Sequence, residues 1–288
     1  MAVVVVTDSS ARLPASIRDM YDIRQVPLHV LNGDQDLAED VDEIGPELFN
    51  DPGTTTSGAV PADLEEAFGR AVEDSDGDGV VAVLMSRRLS STWSSARLAA
   101  DRHPGRIRVV DSRSVGIAVG FGAIAAAQAA QTGADRDRVY EAAIRAGSTT
   151  ESLLCVAQLD NLRNSGRIGA ATRLFGSALS IKPVLRMVDG MLVLTEKQRT
   201  FSKAVGKMVD AAVEATEGRP VTVGVLHCEA PEAAADITSR LRGRLRSITS
   251  LITSDMGPVL SCHVGSGAVG IAVCSEVGPI EGFEPDAA

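Results

Sequence analysis

Short apolar runs alternate with helical patterns through the first half of the chain, the order expected of βαβ units around a mainly parallel sheet. Strands are expected at residues 2–6, 23–30, 79–85 and 107–110. Helices are expected at 13–21, 61–73, 89–102, 114–131 and 136–147. Pro61 suits a first helical position, and Asp63, Glu65 and Glu66 complement the positive end of that helix. The most apolar stretch, VGIAVGFGAIAAAQAA (115–130), falls short of the roughly 20 residues that cross a bilayer. It is expected to be a core helix.

The pattern loosens from about Ser152. SLLCVA reads as a strand, and LDNLRNSGRIGAATRLFGSAL as two short helices broken at Ser165-Gly166. In SIKPVLRMVDGMLVLTEKQR, Asp189-Gly190 stands between two apolar runs, a two-residue hairpin signal. A helix near 201–215, the strand VTVGVLH, a helix near 231–244 and a final strand complete the expectation. The change of pattern puts a boundary near residues 148–152. The fold class is therefore α/β with two domains, a mainly parallel α/β unit over 1–150 and an α+β unit over 151–288.

Composition agrees with that class. The 288 residues exceed the usual size of one domain, and 44% are hydrophobic but only 3% aromatic, as in aliphatic parallel sheets. A formal charge of −10 disfavours general binding to nucleic acid or to anionic lipid surfaces. Cys155, Cys228, Cys262 and Cys274 are too scattered for zinc spacing and read as small buried hydrophobes in a reducing compartment. MAVVVVTDSS reads as a first strand ending in a helix cap, not as a signal peptide, so a cytoplasmic protein without stable membrane insertion is expected.

Three motifs invite chemistry that their surroundings do not support. DSDGDG (74–79) matches the start of an EF-hand loop, but the twelfth position is Met85 and the segment runs into a strand. A helix-to-strand turn is expected instead, and no metal. GSGAVG (265–270) has the G-x-G-x-x-G spacing of a dinucleotide cradle. A strand follows it where the cradle needs a helix, so no cofactor is expected. A serine hydrolase built from Ser57 or Ser90 with His263 and Asp111 or Asp8 stays open as the alternative function, although no G-x-S-x-G elbow occurs.

What remains is a set of hydroxyl residues where strands end and helices begin. TTTSGAVP (54–61) leads into the Pro61 helix, and MSRRLSSTWSSA (85–96) leads out of the VVAVLM strand. In a parallel sheet both would lie along the carboxyl edge, where N–H groups, hydroxyls and helix dipoles favour an anion. Helix capping alone is the competing explanation for each.

Together the segments resemble the DegV family, bacterial fatty-acid-binding proteins that serve as lipid-carrying subunits of fatty acid kinase. The resemblance rests on VVTDSSARLP, TTTSGAVP, LMSRRLSSTWSSA, VVDSRSVGIAVG, LDNLRNSGRIG, SIKPVLRMVDG and CHVGSGAVGIAV, collinear from residue 3 to about 273. It implies a carrier, not an enzyme, that holds a long-chain fatty acid between the two domains. Thr56 or Ser57 and Ser90 would contact the carboxylate, with His263 and Arg167 close by to orient it or balance its charge. The chain departs from the family at Gly58-Ala59-Val60, where Gln-Pro-Ser is usual, and at Ser91, which replaces a glycine. Cys262, Ser266 and Ser165 are further departures around His263 and Arg167.

His29, His103 and His227 read as structural, and Trp93 as core. EKQRTFSKAVGK (196–207) gathers Lys197, Arg199, Lys203 and Lys207 in an acidic protein. A solvated helix face is the plain explanation, and a docking surface for a fatty acid kinase catalytic subunit, through Arg199 and Lys203, the sharper one.

Overall fold

The computed structural model describes residues 3–169 and 181–285. The chain begins with β1 (Val4–Asp8), α1 (Ala15–Tyr21), β2 (Ile23–Val26), β3 (His29–Asn32), β4 (Gln35–Ala38) and β5 (Thr54–Ser57). It continues through α2 (Pro61–Asp74), β6 (Val80–Leu84), α3 (Thr92–Ala100), β7 (Ile107–Asp111), α4 (Ile117–Gln131) and α5 (Arg136–Thr149). Next come β8 (Glu151–Cys155), α6 (Asp160–Asn164), β9 (Lys182–Val188), β10 (Met191–Gln198), α7 (Phe201–Ala215) and β11 (Val221–His227). The last elements are α8 (Pro231–Arg242), β12 (Ile248–Asp255), α9 (Gly257–Val264) and β13 (Val269–Cys274).

Four strands form a parallel sheet in the order β2-β1-β6-β7. Every residue of β1 and β6 is buried, because helices cover both faces and each valine of VVVV and VVAVL loses its water. Six strands form a second, mixed sheet in the order β10-β9-β8-β13-β11-β12. Helix α4 is the layer between the two sheets, touching β1 and β6 on one side and β11 and β13 on the other. That position explains why it is apolar all round and buried along nearly its whole length. Helix α7 packs on the opposite face of the six-stranded sheet, in a separate apolar cluster.

The hairpin is as the dipeptide predicts. Asp189 (φ 48°) and Gly190 (φ 80°) both take the left-handed conformation between β9 and β10, which a type I′ turn requires. DSDGDG is the turn between α2 and β6, and among the described residues no cluster of His, Cys, Asp or Glu has the arrangement to hold a metal.

The structure corrects four expectations. Pro27, which has no N–H to donate, splits the expected 23–30 strand, and β3 leaves to join β4 and β5 in a three-stranded antiparallel sheet. TTTS is therefore β5 of this small sheet and does not lie on the carboxyl edge of the parallel one, unlike the loop after β6. Strand β12 and helix α9 went unexpected: β12 is rich in Ser and Thr, and α9 spans only eight residues behind a glycine and a proline. Trp93 is only partly buried, with the Arg87 guanidinium 5.5 Å from its ring centre. The second short helix expected after Ser165-Gly166 falls largely on residues 170–180, outside the described residues.

A buried ionic cluster fastens the small sheet to α9. Arg12, 8% exposed, bonds to Asp40 at 3.3 Å and Asp255 at 3.0 Å and approaches Glu39 at 3.8 Å. The Glu39 carboxylate accepts from the Ser9 hydroxyl at 2.5 Å and from the Val259 N–H at 2.9 Å, so it caps α9 from another element. Burial opposes the Arg12 charge, but Glu39, Asp40 and Asp255 more than restore it and raise its pKa.

Candidate functional site

Five of the seven residues singled out in the sequence meet at one cavity. It encloses about 910 Å³, mouth included, and Thr56, Ser57, Ser90, Arg167 and His263 all line it. The rest of the wall is mostly aliphatic, from Leu28, Met85, Leu89, Leu154, Leu226 and Leu260 among others.

Each polar residue is delivered by a different element. Thr56 comes from β5, which pairs with β3 so that Val30 faces Thr56 and His29 faces Ser57. His263 lies in the last turn of α9, where its Nε2 and the Thr56 Oγ1 are 2.7 Å apart. Gly265 (φ 75°) ends α9 and Gly267 (φ 83°) turns the chain into β13, so GSGAVG is a helix-to-strand turn, not a dinucleotide cradle.

Arg167 follows the end of α6. Gly166 (φ 76°) lets the Arg167 N–H reach back to the Leu162 carbonyl at 3.1 Å, a Schellman ending. The guanidinium then donates to the carbonyls of Leu89 at 3.2 Å and Ser165 at 2.6 Å. Among the described residues no carboxylate pairs with it.

Ser90 belongs to a hydroxyl relay. The Thr92 Oγ1 accepts from the Ala59 N–H at 3.1 Å and lies 2.9 Å from the Ser90 Oγ, which also accepts from the Thr92 N–H at 3.2 Å. With Thr92 donating its hydroxyl proton to Ser90, the Ser90 proton is free to point into the cavity. Gly58 makes this contact possible: a Cβ there would lie 2.7 Å from Thr92 Oγ1, 3.0 Å from Ser90 Oγ and 3.2 Å from Ser91 Oγ. A long side chain at position 58, such as glutamine, has no room in this arrangement.

The electrostatics assign the roles. Burial pushes the His263 pKa down to about 4, with Arg167 adding to the effect, so the imidazole is neutral at pH 7. Arg167 is thus the one full charge among the five residues. A neutral histidine, two serines, a threonine and one cation suit a single anion that accepts several hydrogen bonds, and the aliphatic walls suit a chain attached to it.

Among the described residues no hydrogen bond joins Ser57 or Ser90 to His263. His263 Nε2 is engaged by Thr56, and Ser90 by Thr92. Asp8 accepts from Ser10 and from the Met85 N–H, while Asp111 meets the backbone N–H groups of Arg87 and Arg113 and the Arg87 side chain. Neither acid orients His263.

Arg199 and Lys203 stand apart from this cluster. Both are exposed, Arg199 in the turn after β10 and Lys203 in the first turn of α7, on the far side of the six-stranded sheet from the cavity. His29 bonds to Asp36 at 2.6 Å and serves the small sheet. Cys155, Cys228 and Cys274 are buried and Cys262 partly so, all unpaired. Burial raises the thiol pKa of Cys155 and Cys262 to about 12.

Sequence reasoning missed Thr92 and the apolar face of α9. Met256, Val259, Leu260, His263 and Val264 recur at helical spacing and all line the cavity, a pattern present in MGPVLSCHV.

With this geometry in view, the comparisons with known proteins are consistent. The DegV family model matches residues 2–276. A DegV domain-containing protein of Mycobacterium tuberculosis is 47% identical over 278 residues, 96% of this chain and 98% of that one. A fatty-acid-binding DegV family protein from Thermus thermophilus has a similar structure, with a TM-score of 0.89, 29% identity and coverage of 96% of this chain and 100% of that one. DegV of Bacillus subtilis, a fatty acid binding protein, gives a TM-score of 0.84 at 29% identity, covering 96% and 99%.

Proposed function

The chain belongs to the DegV family, and from that we propose that it binds a long-chain fatty acid and presents the carboxylate to a fatty acid kinase subunit. One observation carries the reading: Thr56, Ser57, Ser90, Arg167 and His263 gather at one pole of a cavity whose remaining wall is mostly aliphatic. A carboxylate leaving water needs several donors and a nearby cation, and the pole offers both. The acyl tail supplies the drive, at about 0.8 kcal/mol for each methylene buried. The fatty acid binding of the Thermus thermophilus and Bacillus subtilis relatives supports the same ligand class.

In this reading the protein is a cytoplasmic carrier and performs no covalent step of its own. Residues 1–150 and 151–288 act as two units with the ligand between them, a reading supported by the four- and three-stranded sheets lying in the first, the six-stranded sheet in the second, and α4 between the four- and six-stranded sheets. Among the described residues no helix is long and apolar enough to cross a membrane. The basic surface around Arg199 and Lys203 is proposed as a docking patch for the kinase partner; it lies across the six-stranded sheet from the carboxylate pole, so it would anchor the partner and not form the site of transfer.

Native mass spectrometry of the purified protein tests the ligand. A bound mass matching a fatty acid is expected, and an empty protein that also fails to take up palmitate or oleate would sink the proposal. Charge reversal at Arg199 tests the partner: lipid binding should persist while acyl-phosphate production stops. Unchanged production by Arg199→Glu would remove the docking role.

A further inference from the structure

The cavity has a second end, opposite the polar pole. Strand β13 leaves the turn behind His263 and runs away from it, so Gly270 lies near the pole and Ala272 about 7 Å deeper. The neighbouring strands keep step. Leu154 and Leu226 pair with Gly270, whereas Ser152 and Gly224 pair with Ala272. At this deeper level, beside the Ser152 hydroxyl, the cavity meets Ile117, the first residue of α4 and only 2% exposed.

Ile117 cannot retreat. A Cβ built on Gly224 would lie 2.5 Å from Ile117 Cγ2 and 2.9 Å from its Cγ1, so the side chain already fills the hollow that the glycine leaves. The same Cβ would lie 3.1 Å from Phe121 Cζ, the residue one turn further along α4. Gly116 fixes where the helix begins: its φ is 71°, and a Cβ there would lie 2.9 Å from Leu226 Cδ1. The end of the cavity is thus a side chain seated on the bare backbone of Gly224, with the Phe121 ring over the same glycine.

We infer that Ile117, seated on Gly224, is the end stop that sets the longest acyl chain this protein accepts. The inference rests on the proposed fatty acid binding and adds to it a length rule written in two residues. The terminal methyl of the preferred chain abuts Ile117, and longer chains must leave methylenes in water or buckle. Each methylene that does enter gains about fourfold in affinity, so the preference falls off steeply past the stop.

Two substitutions move the stop in opposite directions. Ile117→Ala deepens the cavity and should shift the optimum to chains about two carbons longer. Gly224→Ala drives Ile117 into the cavity and should shift it to shorter chains. Ile117→Val, which removes one methyl, should give a smaller shift to longer chains and serves if Ile117→Ala does not fold. The measurement is the affinity for saturated fatty acids of stepwise increasing length, by displacement of a fluorescent fatty acid, on variants that melt cooperatively. If the wild type has a length optimum that folded variants leave in place, the end stop is wrong while fatty acid binding stands. If the wild type binds no fatty acid of any length, the functional proposal fails and the stop with it.

Discussion

Thr56 Oγ1 and His263 Nε2 meet at 2.7 Å, joining the small antiparallel sheet to the last turn of α9. The bond does two things at once: it closes the polar pole between two distant segments, and it occupies one of the two imidazole nitrogens. Thr56→Val keeps the shape and removes the hydroxyl, leaving the imidazole without that partner. The expected cost is about 1–3 kcal/mol of stability and roughly tenfold in fatty acid affinity. Thr56→Ser should keep most of both. Urea unfolding and ligand displacement measure the two effects, and wild-type affinity in Thr56→Val would exclude the hydroxyl from the head-group site.

His263 makes the empty protein sensitive to mild acid. Its folded pKa of about 4 lies below the roughly 6.5 of an unfolded histidine. Between those values the unfolded chain binds a proton that the folded one refuses. The stabilisation is therefore complete above about pH 6.5 and is lost as pH falls toward 4, by an amount on the order of 3 kcal/mol. Asp8 and Glu39, whose pKa values are raised by burial, contribute slopes of the opposite sign. Those slopes cancel when His263→Gln is compared with wild type at each pH. The difference in unfolding free energy should shrink as the solution is acidified, and a constant difference would contradict the assignment.

Arg167 is the cation of the pole, held by the Leu89 and Ser165 carbonyls. Arg167→Met should weaken fatty acid binding roughly ten- to a hundredfold, the worth of a charge-assisted hydrogen bond. Arg167→Lys restores the charge but not the planar fork, so its affinity should fall between the two. Calorimetric titration with oleate distinguishes the three proteins, and equal affinities would relieve Arg167 of the role.

Gly58 and Ser91 face each other, a Cβ on Gly58 lying 3.2 Å from Ser91 Oγ. Gly58→Gln should cost about 1–3 kcal/mol by crowding Thr92, Ser90 and Ser91. Adding Ser91→Gly removes one of the three obstacles and should recover part of that loss. A double-mutant cycle on urea unfolding should therefore give a coupling above about 0.5 kcal/mol. Strict additivity would mean that the two positions do not share space.

Much of this architecture was readable from local pattern, and the exceptions have physical causes. The buried valines of β1 and β6, the all-apolar α4 and the Asp189-Gly190 turn declare themselves because one element's own residues decide each of them. The five site residues could be named from hydroxyl-rich joints and family resemblance. Their mutual distances could not, because Thr56 and His263 are 207 positions apart and met through a small sheet that Pro27 and the polar β4 concealed. The depth of the cavity was invisible for another reason. It depends on a side chain that Gly224 lacks, and an absent Cβ has meaning only once its neighbour is known.

The cluster around Arg12 reaches across 243 positions to Asp255, and Glu39 reaches across 220 to cap α9. Contacts of such span cannot form while the chain is still short. The parallel sheet draws its strands from residues 4–111, whereas the polar pole must wait for His263. Under the proposed function, a product that ended before α9 would lack His263 and the α9 wall, and with them a complete head-group pocket.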